Sequence, residues 1–179
     1  MTRRRPTVVV LAGVPGAGKT TLATGLVRAT GWNLVSRDVI RFAMFDPCRF
    51  TDVEKHASFA ALVLAVEANL RLGRCCVVEG MPFSRVGELE RVEQAAVAGG
   101  AHLLAFLIEL PLAEAARRVG LENSAEGVGR ETSLDRTPLL VYEVAGRMRD
   151  FGPQVVRLDG DQPPERLVQQ VLARLARLE

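Results

Sequence analysis

Gly13-Val14-Pro15-Gly16-Ala17-Gly18-Lys19-Thr20 is the stretch on which the reading of this chain turns. It follows Thr7–Ala12, a β-branched run of the kind that forms a strand buried on both faces. It leads into a helical pattern near Lys19–Thr30 that Gly31 stops. The spacing is G-x-x-x-x-G-K-[ST], in the strand–loop–helix setting that the motif requires. Glycines let such a loop curl its N–H groups into an anion-binding nest, and the helix start adds its positive dipole end. Lys19, expected at the loop surface, would reach the outer phosphates of a nucleotide, and the Thr20 hydroxyl would ligate Mg²⁺. Thr21, the next helical position, joins Gly13 to Thr20 as an expected nucleotide contact. The competing reading is a glycine-rich turn needed only for close strand–helix packing. It leaves unexplained why one of only two lysines, Lys19 and Lys55, stands here.

Working outward, strand and helix patterns alternate. Asn33–Val35 reads as a second strand, with a short helix from Arg37. Thr51-x-x-Glu54 is a capping box that opens a long helix through Phe59, Leu62, Val66 and Leu70. Cys75–Glu79 and His102–Glu109 read as buried strands, and Val155–Leu158 as a fifth. Helices are expected from Ser84 to Gly99, from Pro111 to Val119, and after Pro163-Pro164. Such alternation predicts an α/β three-layer sandwich with a five-stranded parallel sheet. The 179 residues are expected to form one domain, 1–179, with a mobile lid at about 120–133 rich in Gly, Glu, Asn and Ser.

Composition narrows the function. Hydrophobic residues at 48% and charged ones at 25% describe a globular chain. Basic residues number 23 and acidic ones 21, a net +2 that is too balanced for an obligate nucleic-acid binder. Three cysteines, two adjacent at Cys75-Cys76, suit neither a disulfide framework nor a zinc site, so a reducing, cytoplasmic setting is expected. Arg3-Arg4-Arg5 before an apolar run looks like the start of a leader, but Pro15-Gly16 breaks the run without a cleavage site. No membrane partner is expected. A GTPase needs a base-reading N/T-K-x-D segment, and Lys55-His56-Ala57-Ser58 is not one. A small ATP-dependent phosphotransferase remains.

The phosphate loop, together with Ser36-Arg37-Asp38-Val39-Ile40-Arg41 after the second strand, resembles the P-loop kinase group. That group contains polynucleotide kinase domains, zeta toxins, chloramphenicol phosphotransferase and gluconate kinases. The resemblance runs nearly the whole chain in order of elements, but only these two segments match tightly. It implies a nucleoside-kinase-like P-loop NTPase fold with a small lid, ATP and Mg²⁺ as cofactors, and Asp38 as general base toward an acceptor hydroxyl. A carboxylate after the second strand suits that chemistry, and a helix N-cap is the structural alternative. Arg41 either grips an anionic acceptor or the Asp38 carboxylate, or is an ordinary i,i+3 ion pair.

Glu79, finishing an apolar strand, stands where such proteins carry the Walker B acid that holds Mg²⁺; a solvated strand end is the alternative. After Val78-Glu79-Gly80 the group commonly has Thr, whereas this chain has Met81-Pro82, with Phe83 next. That departure implies a partly apolar acceptor pocket with Met81 in it. The resemblance also implies a lid arginine, with Arg130 preferred for catalysis and Arg117 for the nucleotide; solvated helix faces are the alternative. Asp159–Pro163 stands where relatives often support the adenine; an Asp cap before proline is the structural alternative. The expected reaction moves the γ-phosphate of Mg·ATP to a hydroxyl of a small metabolite, sugar, nucleoside or antibiotic. Polynucleotide 5′-hydroxyl kinase is the second reading, weakened by the 5% aromatic content. An ATP-binding switch with a protein partner is the third.

Overall fold

The structure is a computed structural model and describes residues 5–124 and 136–178. Five strands, β1 (Thr7–Ala12), β2 (Asn33–Ser36), β3 (Cys76–Glu79), β4 (His102–Glu109) and β5 (Val156–Asp159), form one sheet in the order β2-β3-β1-β4-β5. All neighbouring pairs are parallel. The helices are α1 (Lys19–Thr30), α2 (Arg37–Met44), α3 (Asp52–Arg71), α4 (Glu88–Ala98), α5 (Leu112–Ser124), α6 (Pro138–Gly146) and α7 (Pro164–Leu175).

Central strand β1 shows why the sheet is covered on both sides. Side chains alternate across a strand. Val8, Val10 and Ala12 pack with α3 and α4 residues such as Leu62, Val66, Leu89 and Val92. Val9 and Leu11 pack on the other face with Leu22, Leu26, Val119, Val141, Leu167 and Val171 from α1, α5, α6 and α7. This is the expected three-layer sandwich. Parallel register brings the carboxyl ends of the strands to one rim, where ligands bind in open α/β sheets. There Ser36 pairs with Glu79, and Glu109 with Asp159.

Both halves of the capping box at α3 form: Thr51 Oγ1 accepts from the Glu54 N–H and the Glu54 carboxylate accepts from the Thr51 N–H. Three elements depart from expectation. Helix α4 begins at Glu88 rather than Ser84, because Gly87 adopts φ 89°, and the buried Ser84 hydroxyl accepts from Arg147 Nε at 3.3 Å instead of capping a helix. Helix α5 runs on through Gly120 to Ser124, so the start of the expected lid is helical. The remainder of that segment, including Arg130, lies outside the described residues. Helix α6 was not expected at all. Its signal is Thr137-Pro138, with the Thr137 hydroxyl accepting from the Leu140 N–H and proline at the first helical position. Among the described residues no helix is long and apolar enough to cross a membrane, and Cys48, Cys75 and Cys76 are free.

Candidate active site

The phosphate loop leaves the end of β1 and closes on the N-terminus of α1. Gly16 sits at φ 79°, and a Cβ there would lie 2.4 Å from the Ala115 carbonyl oxygen, so only glycine fits against α5. Lys19 is not at the surface. Only 8% exposed, it folds back and donates from Nζ to the carbonyls of Gly13 (2.8 Å) and Val14 (2.9 Å). Burial, reinforced by the nearby Arg136 charge, lowers its pKa from 10.5 to about 8, while Glu79 and Asp38 oppose the shift.

Glu79 is 3% exposed at the end of β3, so the solvated strand end is excluded. Its Oε2 accepts from the Thr20 hydroxyl at 3.0 Å. One hydroxyl and one carboxylate oxygen, side by side at the start of α1, are the hard donors that Mg²⁺ takes in nucleotide sites. The residues therefore fit the ion.

Asp38 lies in the first turn of α2, and Ser36 holds the N-cap position, so Asp38 is not the cap. The carboxylate is instead clamped between arginines. Arg41 Nη2 donates to Oδ1 at 2.9 Å and Arg136 Nη2 to Oδ2 at 2.9 Å, with Arg37 Nη2 3.7 Å away. Arg41 is 1% exposed and its guanidinium stacks on the Phe50 ring, 4.6 Å from the centroid. Its i,i+3 ion pair is thus part of a buried array rather than a surface contact. Gly80, after Glu79, has φ 84°; a Cβ there would lie 2.8 Å from the Arg37 amide nitrogen and 2.9 Å from that of Asp38. Glycine is what lets the β3 end pass this close under α2.

These groups share one cleft. Pro15, Lys19, Asp38, Arg41, Gly80 and Arg136 line it, and α6 contributes Leu140 and Val144. The turn 80–83 is tied to the phosphate loop by the Gly13 N–H donating to the Pro82 carbonyl at 3.3 Å. Met81 touches the cleft but is 1% exposed and belongs to the core beneath, as does the fully buried Phe83. Among the described residues the cleft wall is mixed: Pro15, Met81, Pro82, Leu140 and Val144 make it partly apolar, and five arginines make it strongly basic.

A second depression flanks the helix start on the other side, formed by Gly18, Thr21, Arg118, Gly160, Asp161 and Gln162. Arg118 reaches it, pairing with Asp161 at 3.6 Å and Glu114 at 2.8 Å. Arg117, the expected nucleotide contact, points elsewhere: it is mostly exposed and pairs with Glu114 at 2.7 Å. Helical phase separates the two neighbours. The arginine that sequence reasoning missed is Arg136, which meets Asp38 across 98 positions of chain.

A model for an AAA domain matches residues 8–135, well over half of the chain. The chain belongs to the AAA domain family. The matched stretch contains the phosphate loop, Asp38 and Glu79. Over 122 residues, 65% of this chain, it is 28% identical to adenylyl-sulfate kinase of Pseudomonas aeruginosa. That match spans 60% of the relative's own length. By fold this family member is similar to APS kinase of Mycobacterium tuberculosis, solved in complex with AMPPNP and APS. The TM-score is 0.70 at 18% identity, covering 96% of this chain and 98% of that one. It is equally similar to a gluconokinase from Sinorhizobium meliloti, with a TM-score of 0.68 at 20% identity and coverage of 98% and 95%. At these identities the likeness is one of fold, a P-loop kinase fold.

Proposed function

We propose that this protein is an ATP-dependent phosphotransferase that moves the γ-phosphate of Mg·ATP to a hydroxyl of a small molecule. The observation that carries the reading is the Asp38 carboxylate, 5% exposed, facing the same cleft as Lys19 of the phosphate loop. A nucleotide switch needs the loop and the metal donors but has no use for a buried carboxylate beside them. The similarity to adenylyl-sulfate kinase supports the same choice.

The loop N–H groups and Lys19 hold the phosphates, and the depression of Gly18, Thr21, Arg118 and Gly160 takes the base, with the Arg118 guanidinium suited to stack on it. Thr20 and Glu79 would hold Mg²⁺, which would neutralise charge on the phosphates. The acceptor hydroxyl lies against Asp38. Each carboxylate oxygen has two acceptor positions, so the arginine bonds leave room for that hydroxyl. Its oxygen forms a bond to the γ-phosphorus as the bond from phosphorus to the β,γ-bridging oxygen breaks. Asp38 takes the proton, and ADP departs. Arg136, 2.9 Å from Asp38 and within the electrostatic reach of Lys19, supplies positive charge where the transferring group passes.

The test is transfer of label from γ-labelled ATP to hydroxyl compounds. Label in an ester product that requires Mg²⁺ supports the reading; ATP binding with label found only in inorganic phosphate, whatever the acceptor, favours a switch.

A further inference from the structure

Among the described residues, five arginines and two lysines face the active-site cleft against two carboxylates, Asp38 and Glu88. The chain as a whole is nearly balanced, at 23 basic to 21 acidic residues, so this concentration is local. Lys19 belongs to the phosphate loop, and Arg37, Arg41 and Arg136 surround Asp38.

Lys55, Arg85 and Arg147 have no such role; they line the same cleft, and Lys55 and Arg85 also share the depression next to it. Lys55 stands on the second turn of α3, Arg85 in the turn before α4, and Arg147 just past α6. Arg147 is anchored to that turn through Ser84, a neutral partner, at 3.3 Å. Arg85 meets Asp52 only at 3.4 Å, and Asp52 is exposed, so the pair contributes little. Glu88 spends one oxygen on the backbone N–H of Arg85 at 3.1 Å. Three cations on one concave wall repel one another, and such a wall focuses a field that draws an anion.

Resting on the phosphotransferase reading, we propose that the acceptor is a small anionic alcohol. Its carboxylate, phosphate or sulfate sits on Lys55, Arg85 and Arg147, and its reactive hydroxyl lies at Asp38. Arginine suits such groups because its fork of N–H donors matches two oxygens at once. Among the described residues the cleft lining has no aromatic ring and so offers no stacking platform for a polynucleotide, which favours a compact acceptor over a strand. The charged wall stands beside apolar lining from Met81, Pro82, Leu140 and Val144, while Phe83 is buried in the core.

Two measurements test this. The first titrates sodium sulfate into the protein saturated with AMPPNP, so that the phosphate loop is filled, and into nucleotide-free Lys19→Ala. Saturable sulfate binding in both, weakened about tenfold or more in R85Q/R147Q (the scale of a lost charge-assisted hydrogen bond), is expected. No saturable binding, or equal binding in the double variant, overturns the anion site. This holds whether or not the protein turns over ATP, so failure of the kinase reading shows separately. The second compares phosphotransfer to matched pairs: glycerol and glycerol 3-phosphate, glucose and gluconate, adenosine and AMP. Higher kcat/KM for the charged member of at least one pair, with its KM raised about tenfold in R147Q while the KM for ATP stays within about twofold, supports the proposal. Preference for the neutral members overturns it. So does efficient labelling of a 5′-hydroxyl oligonucleotide with KM climbing steeply with salt, the signature of several phosphate contacts.

Discussion

Arg136 donates a hydrogen bond to the Asp38 carboxylate at 2.9 Å, joining the start of α6 to the start of α2 across the mouth of the phosphate loop. The same guanidinium helps to lower the pKa of Lys19. One cation therefore acts on both Lys19 of the phosphate loop and the Asp38 carboxylate. The consequences can be measured one residue at a time.

ATP affinity should depend on pH through Lys19. In the nucleotide-free protein Lys19 titrates near 8, below its ordinary 10.5. A bound triphosphate favours the charged form and raises that pKa, so above pH 8 binding must take up a proton. The Kd for ATP is expected to be flat below pH 8 and to rise by up to about tenfold per unit above it. The sign for folding is opposite. A lysine whose folded pKa is lowered binds its proton more weakly in the folded state, so its contribution to stability improves between pH 8 and 10.5. Lys19→Met should remove both trends; a flat Kd in the wild type from pH 7 to 10 would contradict the placement of Lys19 at the phosphates.

Glu79→Gln keeps the size of the side chain and its bond to Thr20 but loses the charge. The Mg²⁺ concentration for half-maximal activity should rise about 10–100-fold, the usual penalty for losing a metal-site carboxylate partner. A Mg²⁺ titration of the two proteins at saturating ATP reads it directly.

Arg118→Ala and Arg117→Ala should behave differently despite being neighbours. Arg118 lines the depression proposed for the base with Gly160 and Asp161, whereas Arg117 is spent on Glu114 outside it. AMPPNP binding by calorimetry should weaken about tenfold in Arg118→Ala, from lost stacking and hydrogen bonding. In Arg117→Ala it should stay within about twofold. The reverse order would restore Arg117 as the nucleotide contact.

Gly80→Ala would drive a Cβ into the amides of Arg37 and Asp38 and force alanine to φ 84°. A stability loss of about 1–3 kcal/mol is expected, read as a lower Tm. Turnover at a temperature where the variant is still folded should fall as well, because α2 must shift and carry Asp38 with it. Full turnover in a folded variant would mean the position of Asp38 tolerates that shift.

What was legible in the sequence was what lies close along the chain. The phosphate loop is eight consecutive residues, and the strand pattern around it supplied five parallel strands in order. Asp38 and Glu79 could be proposed because each directly follows or ends a strand, and strand ends meet at one rim. The rest depended on packing between distant segments. Arg136 is a single arginine among 21, and nothing nearby in sequence marks it as the partner of Asp38. That Arg118 rather than Arg117 lies at the Gly160 loop depends on the rotation of α5, which the sequence does not mark. Met81 reads as pocket lining and does touch the cleft, though it is almost wholly buried, whereas Phe83 lies in the core beneath. Helix α6 was overlooked although Thr137-Pro138 carried its start signal.

The most direct measurement is steady-state phosphotransfer by Asp38→Asn, with ATP affinity determined in parallel. Asparagine preserves the shape of the side chain and one acceptor oxygen but cannot take the proton of the acceptor hydroxyl. With Asp38 as the general base, kcat falls about 10²–10⁴-fold while the Kd for ATP changes less than about twofold. A variant with normal kcat and lowered stability would contradict this, and would leave Asp38 as the buried counter-ion of Arg41 and Arg136.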